Sequence, residues 1–341
     1  LATTIQDVAA AAGVSPMTVS NVLNGRSSVN DELRDRVLKA INQLDYRVNV
    51  AARNLRAGRT GTIGLAVPEI DRPYAAQLAA RIIRVASARD IRVVVEETGA
   101  SRGRELDAIA RSRVRMYDGL IIASVGLAAR DLVDVLSTSP VVMLGERFSG
   151  SAVDHIGLPN REGTRRAVEH LIATGRRRIA IIGGPTDSEP GTANDVPGGY
   201  ELRLEGYHSA LAAAGISPDP TLIAVARDWD LEGGRRSVME LCDSAVQFDA
   251  VIGMTDTLAL GVLRGLADRS RSVPADVSVV GFDNILESRY SIPRLTTIAP
   301  DHDEIARLAV TLLMDRIAGQ WPPTETTDHT VGCELVIRES T

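Results

Sequence analysis

The sequence predicts a small all-α head joined to a larger α/β core of two lobes, each built on a parallel sheet. Three observations carry this. Residues 1–47 show only helical apolar periodicity. From Thr62 onward, short continuous apolar runs alternate with helical stretches. The 341 residues, 44% hydrophobic and 24% charged, exceed one ordinary core and suit a soluble globular chain of two or three domains. Apolar strands separated by helices indicate parallel sheets covered on both faces, and the units suffice for two such sheets.

In the head, Ile5–Ala12 places Ile5, Val8, Ala9 and Ala12 on one face, and Ser15–Asn24 groups Val19, Val22 and Leu23. Asn30–Leu44 repeats Leu33, Val37, Leu38, Ile41 and Leu44 at helical spacing, with Asn30 as N-cap. Such short helices hold only by packing on one another. Residues 48–60, VNVAARNLRAGRT, are arginine-rich and too weakly amphipathic to hold a helix alone. They read as a linker that folds on contact.

In the core, the strand candidates are Ile63–Val67, Ile91–Val95, Gly119–Ile122, Val141–Leu144, Ile179–Ile182, Leu222–Val225, Ala250–Gly253 and Val277–Val280. Between them fall helix candidates Tyr74–Ala88, Arg104–Arg111, Arg130–Leu136, Glu162–Ala173, Leu202–Ala214, Glu232–Cys242 and Thr257–Asp268. Ligands in such folds bind outside the carboxyl ends of the strands, where two lobes form a cleft.

Charge is uneven. Residues 1–60 hold eight basic against five acidic side chains, net +3, whereas the whole chain is −6, leaving −9 on the remainder. A basic head on an acidic body suggests that only the head meets a polyanion. No apolar run suits a signal peptide or a membrane span, so a cytoplasmic protein without membrane partners is expected. Cys242 and Cys333 lack metal-ligand spacing and read as reduced thiols. No phosphate loop, dinucleotide fingerprint, zinc-protease motif or nucleophile elbow occurs, and the five histidines are scattered. The expectation is no enzyme, no metal and no cofactor.

Ala9 and Gly13, four apart, with Val19 six further on, suit a helix-turn-helix: a small residue for close approach, a glycine turn, and an apolar contact from the second helix. From here the resemblance is specific. The runs IQDVAAAAGVSPMTVSNVLNG, VNDELRDRVLKAINQLDYRVN and ARNLRAGRTGTIGLAVP resemble the LacI/GalR family of bacterial transcription regulators. So do NREGTRRAVEHL, GRRRIAIIGGP, RLEGYHSAL, TDTLALGVLRGL, VPADVSVVGFDN, PRLTTI and ELVIRES, in family order from Thr4 to Ser340.

The resemblance implies a helix-turn-helix DNA-binding head (1–47), a hinge helix (48–60) and a periplasmic-binding-protein-like core (61–341). The core chain would cross between lobes three times, with lobe 1 at about 61–160 and 300–319 and lobe 2 at about 161–297 and 321–341. It implies a homodimeric regulator, in expectation a repressor, on a pseudo-palindromic double-stranded operator, controlled by a small molecule between the lobes. A sugar or sugar phosphate is the expected effector. No leucine heptad follows ELVIRES, so dimers rather than tetramers are expected. A solute-binding receptor would fit the core pattern alone, but not the helical head.

A recognition helix presents its N-terminal residues to base edges. Those are Pro16, Met17 and Asn21: Asn21 can bond bidentately to adenine, Met17 can touch a thymine methyl, and Pro16 offers shape. Thr4, Ser15, Thr18, Ser20, Asn24, Asn30 and Tyr46 are hydrogen-bonders suited to phosphate, or equally to capping. The resemblance makes Leu55 a minor-groove wedge, with Asn49, Ala52, Arg53 and Arg56 along the backbone and groove. Asp45 stands where the family usually has glycine, and Val48 where it usually has proline.

For the effector, the resemblance and strand-end positions single out Asp283, accepting from ligand hydroxyls, and Arg203, donating to ligand oxygens. Trp229 could stack on a sugar face. Glu146, Arg72, Tyr74 and Thr255 complete the set, Thr255 replacing a common asparagine. Asp256 is as good a helix N-cap as a ligand residue.

Overall fold

The computed structural model describes residues 3–23, 30–46, 59–113, 116–127, 131, 139–146, 153–184, 197–319 and 325–341. Two compact units emerge, Leu1–Thr60 and Gly61–Thr341.

The first unit contains α1 (Ile5–Ala12), α2 (Pro16–Leu23) and α3 (Asp31–Gln43) around Val8, Ala9, Ala12, Val19, Val22, Val37 and Ala40. Each start is capped by a side chain of its own sequence. Thr4 and Asp7 form a reciprocal capping box, the Asp7 carboxylate accepting from the Thr4 amide at 2.8 Å. Ser15 Oγ accepts from the Thr18 amide at 3.1 Å, and Asn30 Oδ1 from the Leu33 amide at 2.9 Å. Gly13 ends α1 in the left-handed conformation (φ 62°), which glycine adopts without steric cost. Arg36 of α3 donates to the Ala12 carbonyl at this turn. Asp45, in the place where glycine was expected, takes φ 43°. The left-handed backbone is thus kept, in a residue that tolerates it better than most.

The second unit holds two six-stranded sheets. The first contains β1 (Thr62–Val67), β2 (Arg92–Glu97), β3 (Leu120–Ala123), β4 (Val141–Leu144), β5 (Asp154–Gly157) and β11 (Asp328–Thr330), ordered β11-β5-β4-β3-β1-β2, all pairs parallel. The second contains β6 (Ile179–Gly183), β7 (Ile223–Val225), β8 (Ala250–Gly253), β9 (Ser278–Phe282), β10 (Thr296–Pro300) and β12 (Cys333–Val336). Its order is β12-β10-β9-β8-β6-β7, with only β12 antiparallel, to β10. The covering helices are α4 (Pro73–Ser87), α5 (Arg102–Arg113), α6 (Asn160–Ala173), α7 (Gly199–Ala213), α8 (Leu231–Asp243), α9 (Asp256–Asp268) and α10 (His302–Ala318).

The central strands are buried on both faces, as β1, β4, β6, β8 and β9 show at every position. That is why they read as unbroken apolar runs. Where helices must approach closely, glycine replaces a side chain: a Cβ at Gly206 of α7 would overlap the Arg161 carbonyl of α6.

The chain passes between sheets three times, between β5 and α6, between β10 and α10, and between β11 and β12. One boundary is corrected. The sequence reading gave all of 321–341 to the second lobe, but Asp328–Thr330 pair with Asp154–Gly157 in the first. Asp154 fixes them there: its buried carboxylate accepts from the Thr327 amide at 2.9 Å and pairs with Arg316 at 2.8 Å. Strands β5, β10, β11 and β12 and helix α10 were absent from the sequence reading. The candidate helix Arg130–Leu136 falls largely outside the described residues. No helix among the described residues is long and apolar enough to cross a membrane.

Candidate functional site

In the head, Pro16 and Met17 are exposed, Met17 at 69%. Asn21, one turn later on the same face, is half-buried. Val19 and Val22 face the core. Among the described residues, helix α2 thus presents an exposed face whose largest group is the Met17 thioether side chain. Its first residues are the ones a reading helix offers to base edges. Ser15 and Thr18 are joined Oγ to Oγ1 at 3.0 Å, and Thr4 and Asn30 are caps, so these hydroxyls and amides serve the helix ends. Tyr46 packs partly against the head core. Asn24, Asn49, Arg53, Leu55 and Arg56 lie outside the described residues.

In the core, a cavity of about 320 Å³ opens between the carboxyl ends of the two sheets. All seven residues singled out for the effector line it: Arg72, Tyr74, Glu146, Arg203, Trp229, Thr255 and Asp283. The first lobe supplies an apolar floor, including Leu78, Leu144, Ile156, Leu158 and Ile305. The second supplies most of the polar rim.

Arg203 sits on the inward face of α7, 5% exposed. Its Nε donates to Asn160 Oδ1 at 2.6 Å and its Nη1 to the Met254 carbonyl. The guanidinium lies 4.1 Å from the Phe282 ring centroid and 5.6 Å from that of Trp229. Burial lowers its pKa against the pull of Asp283 and Glu146. Asp283 follows β9 in a sparsely populated conformation, φ 120°, with Asn284 at φ 53° behind it. Backbone strain of this kind persists only where surroundings impose it. Here the Asp283 amide donates to the Ile298 carbonyl (2.8 Å) and its carbonyl accepts from His302 Nε2 (2.5 Å). Burial pushes the Asp283 carboxyl well above the usual range, Arg203 opposing and Asp256 reinforcing. Burial also raises Glu146, although it accepts from the Leu158 amide at 3.1 Å and from Asn160.

Tyr74 packs edge-on against His302 at 5.5 Å, and its hydroxyl pKa is raised by burial. The Trp229 indole donates to the Gly184 carbonyl at 3.0 Å, leaving the ring face, not its N–H, for the cavity. Arg72 closes on Glu69, Nε to Oε2 at 2.7 Å. Thr255, not Asp256, caps α9, accepting from the Leu258 amide at 3.2 Å. Asp256 is fully buried and accepts from the Ile285 amide (2.9 Å), Ser288 Oγ (2.6 Å) and Thr297 Oγ1. It anchors the loop that carries Asp283.

Sequence reasoning missed Asn160 and Glu105. Asn160 opens α6 at the first crossing and bridges Glu146 of one lobe to Arg203 of the other. Its position at the head of the NREGTRRAVEHL block was the available signal. Glu105, buried in α5, accepts from Ser124 Oγ and from the Val125, Gly126 and Leu127 amides, fixing the loop after β3 beside the cavity. Nothing local distinguishes it from a surface glutamate. Cys242 and Cys333 are free thiols, as expected. Among the described residues no acid, histidine and cysteine cluster could hold a metal.

A three-helix reading head on one unit and a two-lobed ligand cavity in another define a ligand-responsive DNA-binding regulator. Residues 4–49 match the family of bacterial regulatory proteins, lacI family, and residues 168–341 the periplasmic binding protein-like domain. The chain is 34% identical to the HTH-type transcriptional regulator CelR of Thermobifida fusca, over 99% of this chain and 98% of that one. A solved CelR–cellobiose complex aligns with TM-score 0.72 and 31% identity, covering 99% and 100%. The lac repressor dimer bound to operator and an anti-inducer aligns with TM-score 0.83 and 29% identity, covering 100% and 99%. The chain belongs to the LacI family of bacterial transcriptional regulators.

Proposed function

We propose that this protein is a cytoplasmic, homodimeric repressor without enzymatic activity, whose affinity for a pseudo-palindromic operator is set by a saccharide in the cavity between the core lobes. The observation that carries the reading is the convergence on one cavity of Arg203, Asp283, Glu146 and Trp229 from four separated segments. In the head, Met17 and Asn21 read base edges with Pro16 shaping the approach, and arginines and helix N-termini supply the phosphate attraction. Leu55, with Asn49, Arg53 and Arg56, serves the hinge in the minor groove.

Control follows from the interlobe contacts. Asn160 links Glu146 to Arg203. Gln77 of α4 accepts from the Leu286 amide and donates to Glu287, both at 3.1 Å. His302 donates to the Asp283 carbonyl. A ligand that bonds residues of both lobes favours one lobe arrangement over another and shifts the population that binds DNA.

Fluorescence titration with labelled genomic fragments tests this, with and without candidate saccharides. A palindromic site, steep salt dependence and an effector-dependent shift are expected. Asp283→Ala and Arg203→Ala should abolish the effector response while retaining operator binding. Undiminished effector affinity in either variant refutes the site assignment.

A further inference from the structure

We infer that His302 is a positioning residue for Asp283: as a neutral ring it holds the Asp283 backbone across the lobes, and a second proton on the ring releases that hold. The consequence for the effector rests on reading the cavity as the effector site. His302 is the first residue of α10, just past the second crossing, and is not among the residues that line the cavity. Its Nε2 lies 2.5 Å from the Asp283 carbonyl, which can only accept, so the ring proton is on Nε2. The other side of the same peptide is held as well, the Asn284 amide donating to Thr297 Oγ1 at 3.3 Å. His302 belongs to the first lobe and Thr297 to the second. Between them they fix the peptide that follows Asp283, whose φ of 120° a non-glycine residue otherwise avoids. The place of Asp283 on the cavity wall depends on that peptide.

The hold depends on the charge of the ring. Nδ1 is buried and, among the described residues, has no hydrogen-bond partner. A bare lone pair there costs little, but an N–H would be a buried donor without an acceptor. The groups around the ring supply none. Tyr74 meets it edge-on from α4. Arg81, also on α4, is a cation and pairs with Asp303 at 3.1 Å. Asp301 caps α10, accepting from the Glu304 amide at 2.8 Å, and Asp283 presents the carbonyl already bonded to Nε2. Burial lowers the ring's pKa below its ordinary 6.5, with Arg81 acting the same way against the Asp283 carbonyl, Asp303 and Asp301. A ring released into water recovers 6.5. The held state therefore takes up a proton less readily than the released one. The hold is at full strength above pH 6.5 and weakens as pH falls below it.

The test is hydrogen exchange on the full chain, read at residues 283–286 and corrected for intrinsic rates, from about pH 5.5 to about 7.5. Wild type is compared with His302→Phe, which keeps a ring against Tyr74 without the donor, and His302→Gln, which offers an N–H near the Nε2 position and does not titrate. At the upper pH, exchange should be about tenfold faster in His302→Phe and within about twofold of wild type in His302→Gln. On lowering the pH, wild-type protection should fall about threefold or more relative to His302→Gln. That ratio removes the titration of Asp283 and Glu146, which both proteins share. Equal protection in all three proteins overturns the hold. A loss in His302→Phe, with wild type and His302→Gln alike at every pH, overturns the proton dependence. Calorimetry with cellobiose and ribose reads the consequence: a sugar that binds wild type should bind about tenfold more weakly to His302→Phe and recover in His302→Gln. Undiminished affinity in His302→Phe overturns the positioning role. Failure of both sugars to bind wild type goes against the proposed saccharide effector, and the exchange result still decides the hold, because it needs no ligand.

Discussion

Replacing Asp256 by asparagine should change how stability depends on pH. Asp256 has no solvent exposure, and burial raises its pKa from 3.8 to about 6, even though Ser288, Thr297 and the Ile285 amide all donate to it. The folded protein therefore holds a proton between those values that the unfolded chain has released. Stability from this group is fully present below about pH 4 and is lost as pH rises through about 6. With 1.36 kcal/mol per pKa unit, the loss comes to about 3 kcal/mol. Asparagine has nearly the same shape and no charge. Its oxygen can take the place of Oδ2, which accepts from Ile285 and Ser288, and its amide can donate to Thr297 Oγ1, whose own hydrogen has the Ile298 carbonyl at 3.2 Å. Arginine-bonded surface carboxylates such as Asp243 and Asp268 are lowered and give the opposite slope, so wild type alone is uninformative. The difference between Asp256→Asn and wild type cancels them. Urea unfolding of both at several pH values from 4 to 7.5 should show the variant gaining about 3 kcal/mol relative to wild type across that range. A flat difference would mean that the three donors outweigh burial and that Asp256 is ionised without cost.

The other predictions concern reading and packing. Asn21→Ala should relax discrimination at one base pair per half-site, at roughly 1–3 kcal/mol each; an equal loss on all sequences, measured by competition titration, would show that α2 only positions the head. Gly206→Ala should destabilise the core by roughly 1–3 kcal/mol, because the methyl meets the Arg161 carbonyl rather than a movable side chain; an unchanged calorimetric Tm would contradict the close approach of α6 and α7. Arg316→Ala should cost roughly 3–5 kcal/mol, since it leaves the buried Asp154 carboxylate with a bond from the Thr327 amide but without its guanidinium partner. Hydrogen exchange should then accelerate at residues 327–331, and unchanged protection there would refute the anchoring role.

The fold was legible where local rules dominate. The head helices could be placed within a residue or two because caps and apolar spacing are written at their ends, as Thr4, Ser15 and Asn30 show. Val141–Leu144 and Ala250–Gly253 matched their candidates because strands covered on both faces read as unbroken apolar runs. Edge and crossing segments were not legible. DHIG of β5 and DHT of β11 owe their strand state to parallel pairing across 173 residues, and Asp154, His155 and Asp328 find their partners in Arg316, the Thr327 amide, the Gly145 carbonyl and one another. Helix α10 buries Ile305, Ala306, Ala309, Val310, Leu312 and Leu313 in the first-lobe core, a wide apolar stripe far in sequence from the strands it covers.

By itself the sequence, through its resemblance to the LacI/GalR family, marked the class of protein, the order of its segments and seven side chains that line the cavity. Tertiary structure alone decided how those side chains are used. Arg203 spends two nitrogens on Asn160 and Met254, 43 and 51 positions away. Thr255 caps while Asp256 is buried beneath the Asp283 loop, and Trp229 turns its N–H to Gly184. Hydrogen-bond commitment and desolvation depend on which distant groups arrive at the same place, and a linear pattern does not encode that arrival.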